Sequence, residues 1–150
     1  MNLVKQDITT VKRGIIPHGV NCQGVMGSGV ALAIKNKWPN IFEEYKKQGK
    51  GEHLLGITHI IRVPDKSDLF VANCYTQVYY GKDGKKYADV NAVESCLDAV
   101  FFFAKTYDIP IHSPQLGGGL GGLNWNNEIM PIFELLIEKH DHHDVTIHYI

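Results

Sequence analysis

The residues best suited to chemistry in this chain gather in two glycine-rich stretches. The first is His18-Gly19-Val20-Asn21-Cys22-Gln23-Gly24-Val25-Met26-Gly27-Ser28-Gly29-Val30-Ala31. The second is Pro114-Gln115-Leu116-Gly117-Gly118-Gly119-Leu120-Gly121-Gly122-Leu123-Asn124-Trp125. A backbone without side chains approaches a phosphate closely and turns several N–H groups toward it. A helix that begins at such a loop adds the positive end of its dipole. One loop of this kind is a weak anion signal, and two in one small chain suggest a clamp on a diphosphate. Five of the six residues from 117 to 122 are glycine, each adding unfolded-state entropy that close packing alone does not justify. Within the first stretch, the Asn21 amide both donates to and accepts from a hydroxyl or phosphate oxygen. His18 titrates near neutrality and suits proton transfer or the orientation of water. The two lie three residues apart, an odd spacing. A bend or bulge at Gly19 is therefore needed to bring both side chains toward one pocket.

These loops must be held by the runs around them. Asn2 to Gln6 and Gly14 to Asn21 read as strands. The turn Gly27–Gly29 opens a helix through Trp38, stopped by Pro39, with apolar positions 30, 31, 34 and 38 at helical spacing. Ile41 to Lys47 reads as a second helix and Gly49 to Glu52 as a polar turn. Ile57 to Val63 and Leu69 to Tyr75 are β-branched or aromatic runs joined as a hairpin through Pro64 to Asp68. Asp89 caps a long helix running to about Tyr107. Ile109 to Ser113 reads as a short buried strand, Trp125 to Lys139 as the last helix and Val145 to Ile150 as the last strand. Helices thus alternate with strands around a hairpin. The order predicts a single α/β domain over 1–150, a three-layer α/β/α sandwich with a mixed central sheet. Its ligand loops are expected at the C-terminal ends of the strands.

Composition narrows the partners. The 150 residues carry a formal net charge of −1, with 44% hydrophobic and 21% charged residues. That balance supports one core and gives no global pull toward nucleic acid or a membrane surface. The chain has neither a signal-peptide pattern nor an apolar run of spanning length. The expected location is the cytoplasm, or the nucleus in a eukaryote. The three cysteines, Cys22, Cys74 and Cys96, are too far apart and too few for a disulfide framework. The tract His140-Asp141-His142-His143-Asp144 reads as a solvated loop, and no metal or cofactor is expected. Lys82, Lys85 and Lys86 read as a solvated loop too. Trp125 is expected to close the core beneath the second glycine stretch. A monomer is compatible with the sequence, which does not fix the number of copies.

The first loop lacks the ending of a P-loop and the spacing of a dinucleotide fingerprint. It resembles instead the main loop of the macro domain, a family whose members bind ADP-ribose. The second loop, with its Leu-x-Trp ending, resembles that family's phosphate-binding loop. Val4-Lys5-Gln6-Asp7-Ile8-Thr9 resembles its Gly-Asp-Ile-Thr element, with Gln6 in place of glycine. The resemblance covers nearly the whole chain in the family's order. Within the family, the branch of fungal-type ADP-ribose 1″-phosphate phosphatases looks most similar. The shared features are His18-x-x-Asn21-Cys22-x-Gly24, Gly27-x-Gly29-Val30-Ala31, Leu54-Leu55-Gly56 and Ser67-Asp68-Leu69. The branch that removes ADP-ribose from carboxylates or DNA looks less similar. Its catalytic lysine is matched here by the stretch Tyr75-Thr76-Gln77, and its loop aspartate by Gly121.

The resemblance implies a distinct role for each site residue. Asp7 and the Ile8 amide read adenine, and His148 or Tyr149 packs against it, with His148 the chosen candidate. Gly27, Ser28, Gly29 and Val30 serve the distal ribose and phosphates. Gly117, Gly118, Gly119, Leu120 and Gly121 hold the diphosphate from the other side. Asn21 and His18 form the catalytic pair. The implied activity is hydrolysis of ADP-ribose 1″-phosphate to ADP-ribose and phosphate. The alternatives are a de-ADP-ribosylating or O-acetyl-ADP-ribose hydrolase, and a non-catalytic ADP-ribose reader.

Overall fold

The computed structural model describes residues 1–81, 83, 85–116 and 122–150. Its strands are β1 (Asn2–Lys5), β2 (Gly14–Asn21), β3 (Thr58–Arg62), β4 (Leu69–Gln77), β5 (Ile111–Pro114) and β6 (Val145–Tyr149). Its helices are α1 (Gly29–Lys37), α2 (Pro39–Lys47), α3 (Val90–Tyr107) and α4 (Met130–His140). The strands form one mixed sheet in the order β1-β6-β5-β2-β4-β3. All neighbours run parallel except β3, which pairs antiparallel with β4 through the expected hairpin.

Alternation along the strands sends neighbouring side chains to opposite faces. Ile15 therefore joins the core under α3 and α4, while Ile16 joins the core under α1 and α2. This is the expected three-layer α/β/α arrangement. Local chemistry sets the helix ends. The Asp89 carboxylate accepts from the Ala92 N–H at the start of α3, and Asp108, with φ 53°, ends it in the left-handed conformation. The last helix departs from expectation. Trp125–Ile129 form a π-helical turn before α4 begins. Trp125 packs on Phe133 with ring centroids 5.5 Å apart, beneath the end of the second glycine stretch. Among the described residues no helix is long and apolar enough to cross a membrane.

The two faces of the sheet are built differently. Under α3 and α4 one apolar cluster runs without a break from Ala72 and Ile111 to Phe133 and Leu136. Under α1 and α2 the apolar residues form two clusters. One holds Ile16, Val71 and Ile61, which are register partners across β2, β4 and β3. The other holds Val20 and Tyr75, again register partners. Between them lies the row His18, Asn73 and His59, paired across the same three strands.

Candidate functional site

The connections of the sheet single out one edge. The chain leaving β2 passes through α1 and α2 toward β3 and β4. The chain leaving β5 passes through α4 to β6, on the opposite side. β2 and β5 are parallel neighbours, so their outgoing chains diverge and leave a crevice at their C-terminal ends. Such a switch point is where open α/β sheets bind ligands. Both glycine-rich stretches leave from it, the first after Asn21 and the second after Pro114. The segment after β1, which carries Asp7, opens at the same edge. From β1 to β4 this edge is four strand spacings wide, roughly 19 Å.

Asn21 is the hinge of the first stretch. Its Nδ2 donates to the Val25 carbonyl at 2.9 Å, and its Oδ1 accepts from the Gln23 N–H at 2.9 Å. The buried Tyr45 hydroxyl of α2 lies 2.6 Å from the Asn21 carbonyl oxygen and 2.9 Å from its Oδ1. The amide oxygen is thus taken up by the protein, and one Nδ2 hydrogen is left to donate. Burial and the neighbouring Tyr75 push the Tyr45 phenol up, so it stays a neutral donor. Beyond Asn21 the chain turns through Cys22–Gly24, with Gly24 at φ 78°, and enters α1 with Gly29 at φ 59°, both left-handed conformations suited to glycine. Gly27 and Gly29 are exposed, and Ser28 and Val30 are half-buried. The first-turn N–H groups of α1 have no helical acceptor of their own and lie at this open end.

No extra residue stands at Gly19 in β2; the irregularity near this end lies on the neighbouring strand β4. The β2–β4 register runs from Val20↔Tyr75 to Asn21↔Gln77, so Thr76 is the extra residue. Gly19 serves a different purpose. A Cβ there would sit 2.7 Å from Thr76 Oγ1, so a side chain at 19 would have to displace that hydroxyl.

His18 is 1% exposed and its Nε2 lies 2.6 Å from Asn73 Oδ1. Burial pushes the imidazole down to about 4, against the opposing pull of the Asn73 bond. His18 is therefore neutral at pH 7. Its Nδ1, the Asn73 Nδ2 and the His59 Nδ1 are buried without a hydrogen bond to the protein.

At the β1 end, Asp7 caps a 3₁₀ turn over Ile8–Thr10. Its Oδ1 accepts from the Thr9 N–H at 2.9 Å and the Thr9 hydroxyl at 2.8 Å. These bonds hold its carboxyl below the usual carboxylate range. Asp7 is exposed, while the Ile8 side chain is buried under α1. His148 lies beneath them. Its Nδ1 is 3.3 Å from the Gln6 carbonyl and its Nε2 is 2.9 Å from His112 Nδ1. A carbonyl only accepts, so His148 carries its proton on Nδ1, and His112 donates to Nε2. Burial lowers both histidines. His148 is 4% exposed with both nitrogens engaged, and Tyr149 is the more open of the two, at 42%.

Gly117, Gly118, Gly119, Leu120 and Gly121 lie outside the described residues. Their flanks are anchored, because Leu116 and Leu123 are buried in the core under α3 and α4. Asn124 caps the following π turn by accepting from the Asn127 N–H at 2.9 Å. Glu128 joins it, accepting from the Asn124 N–H at 3.2 Å and from Lys86 Nζ at 2.6 Å. Lys86, expected in a solvated loop, is therefore tied to the base of the second stretch. In the histidine tract, His140 bonds Asp98 at 2.7 Å and His143 bonds Asp141 at 3.0 Å, while His142 is buried against Phe101. Among the described residues no three His, Cys, Asp or Glu side chains are grouped to hold a metal ion.

Sequence reasoning missed three of the residues that shape this edge. From sequence, Tyr45 reads only as one side of a helix, Asn73 as part of a strand and His112 as part of a buried strand. A polar residue inside each apolar run, His18 in Gly14–Asn21, His59 in Ile57–Val63 and Asn73 in Leu69–Tyr75, is the signal that points to the polar row.

A family model described as Macro domain matches residues 18–129. The chain is 31% identical over 127 residues to a DNA ADP-ribosyl glycohydrolase of Mycobacterium tuberculosis, a match covering 81% of this chain and 34% of that protein. It therefore spans about a third of that relative's length. It is 25% identical over 169 residues to an ADP-ribose 1″-phosphate phosphatase of Meyerozyma guilliermondii, with 93% of each chain covered. The solved macrodomain of Mycobacterium tuberculosis DarG superposes with a TM-score of 0.81 at 21% identity, covering 99% of this chain and 97% of the other. The higher identity to the glycohydrolase runs against the expectation that this branch is the less similar one. The phosphatase matches over the fuller length.

Proposed function

Because this chain belongs to the macro domain family, we propose that it binds ADP-ribose along the C-terminal edge of the sheet and hydrolyses ADP-ribose 1″-phosphate. The observation that carries this proposal is the shared origin of the two glycine-rich stretches at the divergence of β2 and β5. In this proposal adenine lies at the β1–β6 end, with its amine on the Asp7 carboxylate and a ring nitrogen on the Ile8 N–H. His148 holds Gln6 in place from below. The diphosphate lies over the crevice, between the amides of Gly27, Ser28, Gly29 and Val30 and those of Gly117 to Gly121. The distal ribose lies toward β2 and β4, within reach of the remaining Nδ2 hydrogen of Asn21.

Hydrolysis then needs an attacking water and charge stabilisation at the phosphoryl group. Water adds to phosphorus, the bond from phosphorus to the anomeric oxygen breaks, and that oxygen leaves with the electron pair and takes a proton. Loop amides offset the charge on the phosphoryl oxygens. His18, neutral and buried, suits the orientation of water better than donation to the leaving oxygen, because an imidazole lowered to about 4 holds no extra proton at pH 7.

Calorimetry with ADP-ribose, followed by phosphate-release kinetics on the 1″-phosphate, tests the proposal. Binding with phosphate release is the expected result. Parallel assays on ADP-ribosylated DNA and on O-acetyl-ADP-ribose address the other hydrolases. The identity to the mycobacterial glycohydrolase favours the DNA substrate as the second reading. Tight binding with no turnover on any of the three would identify a reader.

A further inference from the structure

Asn73 sits at the middle of β4, fully buried, directly between His18 on β2 and His59 on β3. A polar row in this place has a clear cost. It divides the core under α1 and α2 into two clusters, and it leaves polar atoms on all three side chains without a bond to the protein. Three apolar residues of similar size would join the clusters and remove the orphaned atoms. Stability therefore does not account for the row. Its position offers another reason. It lies two register steps from the Val20–Tyr75 pair, on the same face, and His18 is three residues before Asn21 at the mouth of the crevice.

The chemistry of the 2.6 Å contact fixes a proton. An amide oxygen only accepts, so the His18 Nε2 must donate. The neutral ring then has its lone pair on Nδ1, the atom that no protein group occupies. We propose that Asn73 is a positioning residue for the ligand site, holding His18 as the Nε2–H imidazole so that the buried, unpaired Nδ1 carries the acceptor lone pair. Asn73 acts through His18 and touches no substrate. In this role it selects acceptance of a proton from water over donation by the ring. Burial and the Asn73 bond are the influences that set the charge state of His18, and no ionised side chain contributes among the described residues. An acidic group at position 73 would change that balance outright.

The inference rests on the ADP-ribose reading of the site, and the two fail separately. The decisive measurement is the long-range proton–nitrogen correlation of the imidazole groups in the ¹⁵N-labelled full chain. The expected spectrum shows His18 in one neutral form, protonated on Nε2, from pH 8 down to pH 5. An Nδ1–H form, or a mixture of the two, overturns the assignment even in a protein that binds and hydrolyses substrate. Asn73→Asp places a carboxylate against Nε2. It should raise the His18 titration midpoint by at least about one pH unit and move the acid limb of the phosphate-release profile by the same amount. Asn73→Leu should lower kcat by roughly tenfold or more, with KM for the 1″-phosphate within about twofold of wild type. A folded Asn73→Leu variant with unchanged kcat overturns the positioning role. Should that variant not fold, the wild-type spectrum and the Asn73→Asp profile still decide. Absence of ADP-ribose binding by wild type overturns the functional reading instead, whichever tautomer is seen.

Discussion

The two faces of one sheet, built from the same six strands, follow opposite rules. The face under α3 and α4 is a continuous apolar layer in which Phe101 and Phe133 meet edge to face at 6.1 Å. The face under α1 and α2 is interrupted by His18, Asn73 and His59, and toward β6 it carries the His112–His148 pair. The first face is packed almost throughout by apolar side chains, with the buried His142 against Phe101 at its rim. The second keeps polar groups in the sheet where they support the ligand edge. Asn73 stands behind His18, Tyr45 behind Asn21, and His148 behind Gln6 and Asp7. The lesson is a division of labour, with one face holding the fold together and the other holding the site in shape.

Substitutions can break this contrast, beginning with the apolar face. Phe101→Ala should lower unfolding stability by about 3–5 kcal/mol, because it empties a fully buried ring site. Urea melts will measure the loss. ADP-ribose affinity of the folded fraction should stay at its wild-type value, since Phe101 lies on the face away from the row.

Acid is the corresponding stress on the polar face. His18 is lowered in the folded state to about 4 from an ordinary value of 6.5. The unfolded chain therefore binds the proton first. The stability that follows from a neutral His18 is complete above about pH 6.5 and is lost as pH falls toward 4, up to about 3 kcal/mol. His112, His142 and His148 are lowered in the same direction and add to the slope. Urea midpoints at pH 7 and pH 4.5 will show it. A pH-independent midpoint would mean that His18 charges freely in the folded protein.

The row itself should show strong non-additivity. Asn73→Leu alone leaves the His18 Nε2–H without an acceptor and should cost roughly 1–3 kcal/mol. The double variant His18→Leu, Asn73→Leu removes both polar groups. It should return to within about 1 kcal/mol of wild type, because replacing both partners of a buried polar pair is nearly neutral. The same double variant should lose most of the acid slope and most of the turnover.

Much of this architecture was legible in the chain. Strands β3 and β4 stand out as β-branched and aromatic runs, and Asp89 marks the start of α3 by its capping chemistry. The two glycine-rich stretches and their order pointed to the family. What the sequence withheld depends on register. Nothing in the runs around His18, His59 and Asn73 tells which residues lie side by side, because strand order and pairing are set by the whole sheet. The bulge expected at Gly19 occurs at Thr76 on the neighbouring strand for the same reason. The π turn over Trp125–Ile129 keeps apolar positions near helical spacing, so it read as ordinary helix.

The smallest effects should come from the site rim. Gly29→Val forces a β-branched residue into φ 59°, which should cost about 1–2 kcal/mol. It should also weaken ADP-ribose binding measured by calorimetry. Lys86→Ala removes an exposed bond to Glu128 and should change stability by less than about 1 kcal/mol.

The central claim is that two separate stretches of backbone close on one diphosphate at the divergence of β2 and β5. A crystal structure of the full chain grown with ADP-ribose tests it most directly. The account predicts main-chain N–H groups from residues 27–30 and from residues 117–121 within hydrogen-bond distance of the same diphosphate, with adenine against Asp7. A nucleotide held by only one of these stretches, or bound away from the C-terminal edge of the sheet, would contradict it.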